Sequence, residues 1–300
     1  MRVLKIVPFC LMFILIGCGP QSNRSKDAMP PLMKMDSARG CVSESNLLAA
    51  GLIGGQVVQK ADPDSNFAVL IISGGHICTA SPIRDNVLLT AAHCFDKDKL
   101  SDTVAVFYPS LSCESGYDKR QHSVPALSVA IHDDFKSDVQ IDKTEGDMAL
   151  VFLSSKIPDN YPIYKVGQPS NIAAGSDLVL YGYGRTNSNG GGSGILRKIH
   201  VGSDNYVVSE LNKRVVINQS QGSGICNGDS GGASLVTNRD GEMQILGISS
   251  YVTGPTEDVC SAMGVQTLAS TYNDWIERII AEQGNANPIP NPEPNPEESR

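Results

Sequence analysis

Basic charge is in short supply in this chain. Its 24 Lys and Arg are outnumbered by 32 Asp and Glu, for a net charge of −8 and a pI near 5.1. That balance argues against a nucleic-acid surface. Tryptophan is almost missing, with one residue, and histidine is sparse, with five. Any chemistry that needs an imidazole therefore has few candidates. The apolar run at 6–16 is about eleven residues, too short to span a bilayer by itself. What is present is ample for folding. A hydrophobic fraction of 41% in 300 residues suffices for one large or two small cores. Glycine is abundant, at 29, and short apolar runs alternate with Gly, Asn and Ser, which reads as all-β. Eight cysteines fit an oxidising compartment, provided the chain is exported.

The N-terminus supplies an export signal. Met1-Arg2-Val3-Leu4-Lys5 is a basic start to the apolar run, and Leu15-Ile16-Gly17-Cys18 follows at once. This resembles the lipobox of bacterial lipoproteins, in which residues 1–17 are removed and Cys18 takes lipid. An ordinary signal peptide cleaved nearby is the other reading, and both remove Cys10. Residues 18–51 lack sustained periodicity and read as a tether or prosegment. Strand-like runs follow at 67–73, 76–81, 86–90, 104–108, 126–131 and 148–153. A second set lies at 177–182, 195–201, 214–218, 232–237, 244–251 and 264–267. Two sets of six suit two antiparallel barrels, about 52–165 and 166–267, each closing its own edges. At 268–283 the period changes: Leu268, Tyr272, Trp275, Ile276, Ile279 and Ile280 share one face of a helix. The tail, 285–300, alternates Asn, Pro and Glu and reads as unpacked.

Cys226-Asn227-Gly228-Asp229-Ser230-Gly231-Gly232 packs an acid, a hydroxyl nucleophile and three glycines into seven residues. Glycines leave the serine uncrowded and allow a sharp turn whose N–H groups can meet developing negative charge. Such a serine needs a base, and the base needs an orienting acid. His93, at the end of the apolar run closing Thr90-Ala91-Ala92-His93-Cys94, fits the base. His76, His122, His132 and His200 read as structural. Asp133, Asp134, Asp138 and Asp142 sit in a polar stretch and read as solvated, whereas Asp147 directly precedes Met148-Ala149-Leu150-Val151-Phe152-Leu153. A carboxylate at the mouth of a buried strand needs a hydrogen-bond partner, and an imidazole N–H would serve.

From Leu52 to about residue 283 the chain resembles the chymotrypsin/trypsin-like serine proteases. The matches are Leu52-Ile53-Gly54-Gly55, Thr90-Ala91-Ala92-His93-Cys94, Asp147-Met148-Ala149-Leu150, Gly182-Tyr183-Gly184-Arg185 and Gly228-Asp229-Ser230-Gly231-Gly232, with the Trp275 helix in support. Their order, His, Asp, Ser, excludes the subtilisin and α/β-hydrolase orders. The resemblance implies an all-β fold of two six-stranded barrels with a C-terminal helix, and a protease domain spanning 52–284. It makes Ser230 the nucleophile, His93 the general base and Asp147 its orienting acid, with the N–H groups of Gly228 and Ser230 as the oxyanion hole. It pairs Cys78 with Cys94 and Cys226 with Cys260. With Cys10 removed and Cys18 lipidated, parity leaves Cys41 to bridge Cys113. It also implies a zymogen, in which cleavage frees an α-amino group at Leu52 to pair with Asp229. Ala49-Ala50-Gly51 before Leu52 has no Arg or Lys, so a trypsin-like activator is not implied.

On the same resemblance, Gly224 and Ile225 floor the specificity pocket, Val252 narrows its mouth and Gly264 leaves depth on the opposite wall. No acid stands at Gly224, which disfavours Arg or Lys and favours small or medium aliphatic residues before the scissile bond. A chymotrypsin-like preference for large apolar residues stays open. No cofactor or metal is expected, since Glu114 and Asp118, the acids nearest a calcium loop of some relatives, read as a solvated face. The expected partners are protein or peptide substrates of a monomer, exported to a bacterial envelope by lipid on Cys18 or secreted. A catalytically inactive binding protein on the same scaffold and an esterase are the rival function classes.

Overall fold

In the computed structural model of the protein, the residues described are 36, 38–43, 47, 52–136, 145–188 and 193–286. The leader, Cys18, Ala49-Ala50-Gly51, Asp138, Asp142 and the tail from 287 lie outside them. The first half contains β1 (Gln56–Val57), β2 (Val69–Ser73), β3 (His76–Arg84), β4 (Val87–Thr90), β5 (Val104–Val106), β6 (Ser123–Ile131) and β7 (Ala149–Leu153). Six of these close a barrel in the order β2-β3-β4-β7-β6-β5. Its first hairpin is dictated by Gly74-Gly75. Ser73 pairs with His76 across this two-residue loop, and both glycines have positive φ, 55° and 84°. That is the mirror-image turn whose twist suits a tight hairpin. β4 and β7 are buried along their whole length, as their unbroken Val/Leu/Ala/Phe runs require.

The second half contains β8 (Leu178–Gly182), β9 (Arg197–Val201), β10 (Tyr206–Ser209), β11 (Arg214–Asn218), β12 (Ala233–Thr237), β13 (Met243–Thr253) and β14 (Met263–Leu268). Rather than six strands closing on themselves, it is an eight-stranded antiparallel sheet, ordered β1-β9-β8-β12-β13-β14-β11-β10, that curls into a half-barrel. The two strands beyond the expected six, β1 and β10, lie at its edges. Both are short, which limits the unpaired backbone they expose. Bulges between Ser234 and Leu235 and between Ser249 and Tyr251 bend its long strands.

A 3-10 turn, Ala269–Tyr272, follows β14 and leads into an α-helix, Asn273–Ala286. The helix thus begins five residues later than its apolar period. It packs back on the first barrel: Tyr272, Trp275 and Ile276 belong to the same buried cluster as Leu88, Leu150 and Phe152. The His132 ring lies 4.9 Å from that of Tyr272 and 5.0 Å from that of Trp275. The C-terminal helix therefore packs against the first barrel.

Candidate active site

His93 lies in a 3-10 turn, Ala92–Cys94, directly after β4, and Asp147 stands two residues before β7. β4 and β7 are neighbours, with Thr90 opposite Ala149, so the two residues meet at one barrel edge. His93 Nδ1 is 2.8 Å from Asp147 Oδ2, and the His93 backbone N–H donates to Asp147 Oδ1 at 3.0 Å. Ser250, on β13, donates its hydroxyl to the same Oδ2. Asp147 is fully buried, while His93 keeps a quarter of its side chain exposed. Burial pushes the Asp147 carboxyl up, but the His93 charge and the hydrogen bonds from His93 and Ser250 outweigh it and hold the pKa below the usual carboxylate value. Burial likewise opposes protonation of His93, yet the Asp147 charge and hydrogen bond win and raise it above the usual imidazole value.

Ser230 reaches this edge from the other half. Its carbonyl accepts the Thr79 N–H at 2.8 Å, and Cys94 Sγ lies 3.8 Å from the same oxygen. Thr79 also donates its hydroxyl to the Gly228 carbonyl at 3.1 Å and accepts the Tyr183 N–H at 3.2 Å. The turn is tied to β13 by Gly231 N–H to Ser249 O at 2.8 Å and Ser249 N–H to Gly232 O at 2.9 Å. A Cβ at Gly231 would collide with Thr90 Oγ1 and stand 2.9 Å from Ala91 N, so only glycine lets the turn dock here. Gly228 has φ +96°, in the left-handed region that favours glycine. Among the described residues neither its N–H nor that of Ser230 has an acceptor, and no hydrogen bond joins Ser230 Oγ to His93.

Asp229 is buried beneath the turn. Its Oδ1 accepts the Gly184 N–H at 2.8 Å and its Oδ2 the Cys226 N–H at 2.9 Å. No cation pairs with it among the described residues, and burial, only partly offset by those two donors, pushes its pKa up to about 7. Leu52 is fully buried in the core of the second half, and Ile53 and Gly224 exchange backbone hydrogen bonds of 3.0 and 3.2 Å. Three disulfides surround these elements: Cys78–Cys94, Cys226–Cys260 and Cys41–Cys113. Val252 pairs with Gly264 across β13 and β14, and Ile225 is buried beside them. Glu114 accepts from Ser112 at 2.9 Å, and Asp118 is only 14% exposed beneath Arg120 at 2.7 Å.

Sequence reading overlooked three residues of this site. Ser250 and Thr79 carry no motif, because a lone hydroxyl on a strand is an ordinary strand residue until its partner across the barrel is known. Gln219 sits between Gly224 and Gly264, and only those two glycines hint at a neighbour that needs their space.

A histidine–carboxylate pair at the barrel edge where a serine-bearing glycine turn docks is a serine-hydrolase type of centre. Residues 52–276 match the trypsin family model, and the chain belongs to that family. It is 28% identical over 258 residues to chymotrypsin-like elastase family member 1 of Canis lupus familiaris, covering 80% of this chain and 95% of that protein. It is 27% identical over 266 residues to a trypsin of Tyrophagus putrescentiae, covering 83% of this chain and 85% of that protein. Among solved structures, a mutant of human heparin binding protein superposes with a TM-score of 0.62 at 20% identity, covering 81% of this chain and all of that one.

Proposed function

We propose that this protein is a serine endopeptidase, made as a zymogen and cleaving after small or medium aliphatic residues. The observation that carries the reading is the His93–Asp147 pair, 2.8 Å apart with its carboxylate fully buried, at the edge where the Ser230 turn docks. Ser230 Oγ attacks the substrate carbonyl while His93 Nε2 takes its proton. Asp147, held by Ser250, fixes the imidazole tautomer and stabilises the imidazolium. The oxyanion is met by the free N–H groups of Gly228 and Ser230, each such donor contributing about 3 kcal/mol to the transition state. His93 then gives its proton to the leaving amine, and water releases the acyl group by the reverse sequence.

The domain assignment belongs to the same reading: 52–284 is the protease, 18–51 a prosegment and 1–17 a removed leader. Cys18 carries lipid and tethers the exported chain. Three disulfides and secreted-type relatives support export. Cleavage before Leu52 frees an ammonium for the buried, cation-free Asp229. A fluorophosphonate tests the reading. Ser230 becomes labelled in the processed chain, and His93→Ala abolishes the labelling. Labelling of neither form would leave a binding protein, and turnover of esters without amides would leave an esterase.

A further inference from the structure

We propose that Gln219 is the floor of the specificity pocket, and that its carboxamide restricts the residue before the scissile bond to the size of Ala or Val. The proposal rests on the protease reading above and deepens it. Gln219 follows β11 directly and is 1% exposed. Its Nε2 donates to Ile225 O at 3.0 Å and to Cys260 O at 2.5 Å, and its Oε1 accepts the Ile225 N–H at 2.8 Å. Both amide protons are thus committed, and the group is locked between the two loop segments that the Cys226–Cys260 disulfide joins.

The position of that amide follows from its glycines. A Cβ built on Gly224 would run into the Gln219 side chain, and one built on Gly264 would run into Gln219 Oε1 and stand 2.8 Å from Ile225 Cγ1. The two residues whose lack of a side chain ought to leave depth therefore face an occupied volume. Val252 lies directly opposite Gly264 on the neighbouring strand. A neutral amide supplies no counter-charge to a Lys or Arg side chain. Swinging it aside would strand two carbonyls and one N–H in a buried site, so it does not yield to a large apolar side chain either. Size exclusion follows from a fixed wall, not from a charge.

The test separates the floor from the chemistry. Indole is titrated by NMR into the chain carrying Ser230→Ala and into the same chain also carrying Gln219→Ala. Saturable binding only to the double variant is the expected result. Equal binding to both, or to neither, overturns the floor. In parallel, the processed chain with Ser230 intact is given peptide thioesters differing only in the residue before the scissile bond. Ala and Val exceed Phe and Lys by at least about tenfold in kcat/KM, and Gln219→Ala narrows the Phe deficit by a similar factor. Phe turned over within threefold of Ala by the unmutated chain overturns the proposal even if the variant does not fold. Split indole binding without any fluorophosphonate labelling supports the floor and defeats the protease reading alone.

Discussion

At the scale of single residues, the His93–Asp147–Ser250 chain makes the sharpest commitments. A base must be neutral to accept a proton, and Asp147 lifts the His93 pKa above its usual value. Activity should therefore rise with pH through a midpoint above that of a free imidazole. Asp147→Asn removes the charge and leaves only burial, which opposes protonation. The pH–rate midpoint should fall, and kcat should drop by about 10⁴-fold; stopped-flow acylation between pH 5 and 9 reads both. Ser250→Ala removes one donor from a fully buried carboxylate. The expected cost is about 1–3 kcal/mol of stability, measured by urea unfolding, with a smaller loss of kcat than Asp147→Asn. His93 and Asp147 were legible in sequence because each abuts an apolar run that places it at a strand end. Ser250 was not, because its role exists only where β13 crosses the first barrel.

At the scale of elements, one turn of the second half docks on the first barrel. The 226–232 turn is held from below by Thr79 and from the side by Ser249, and Gly231 leaves no room above Thr90 and Ala91. Gly231→Ala should leave both sheets intact while displacing Ser230. The expected signature is an unchanged far-UV spectrum with acylation slowed about a hundredfold, the scale of a 1 Å misplacement. Normal acylation in that variant would show that the docking is not needed. Most strands were legible as apolar runs between Gly and Asn turns. β1 and β10 were not: β1 is two residues long, and β10 is a four-residue edge strand whose core-side residues, Tyr206 and Val208, are only partly buried. The C-terminal helix was placed too early because Leu268 and Tyr272 continue its apolar spacing through a 3-10 turn.

At the scale of the whole molecule, Asp229 couples the core to pH. Between the ordinary carboxylate value of 3.8 and about 7 the folded, uncut chain keeps a proton that the unfolded chain has released. Its stability therefore falls as pH rises through that window and is lowest above it, about 1.4 kcal/mol for each pH unit spanned. Asp229→Asn should abolish that decline, as read from urea midpoints at pH 5 and 8 in a Ser230→Ala background. An ammonium freed at Leu52 should also abolish it, by stabilising the charged form. The described residues ahead of Leu52 are anchored to the body. Cys41 is bonded to Cys113, the Val42 N–H donates to Leu111 O at 2.9 Å, and Leu47 is 1% exposed. Cleavage before Leu52 should leave 41–51 attached, so intact mass should drop only on reduction. Loss of the prosegment without reduction would refute the tether.

The order of His93, Asp147 and Ser230, the short apolar strands, and the absence of an acid at Gly224 were set by sequence alone. These are local matters: a strand end, a glycine turn, a missing charge. What fills the space between Gly224 and Gly264 was decided by tertiary structure. So were the second partner of Asp147, Ser250, and the lone burial of Asp229. Each depends on which side chain a distant strand delivers to an enclosed site, and in a barrel that delivery is governed by register and closure, which no short run of residues encodes.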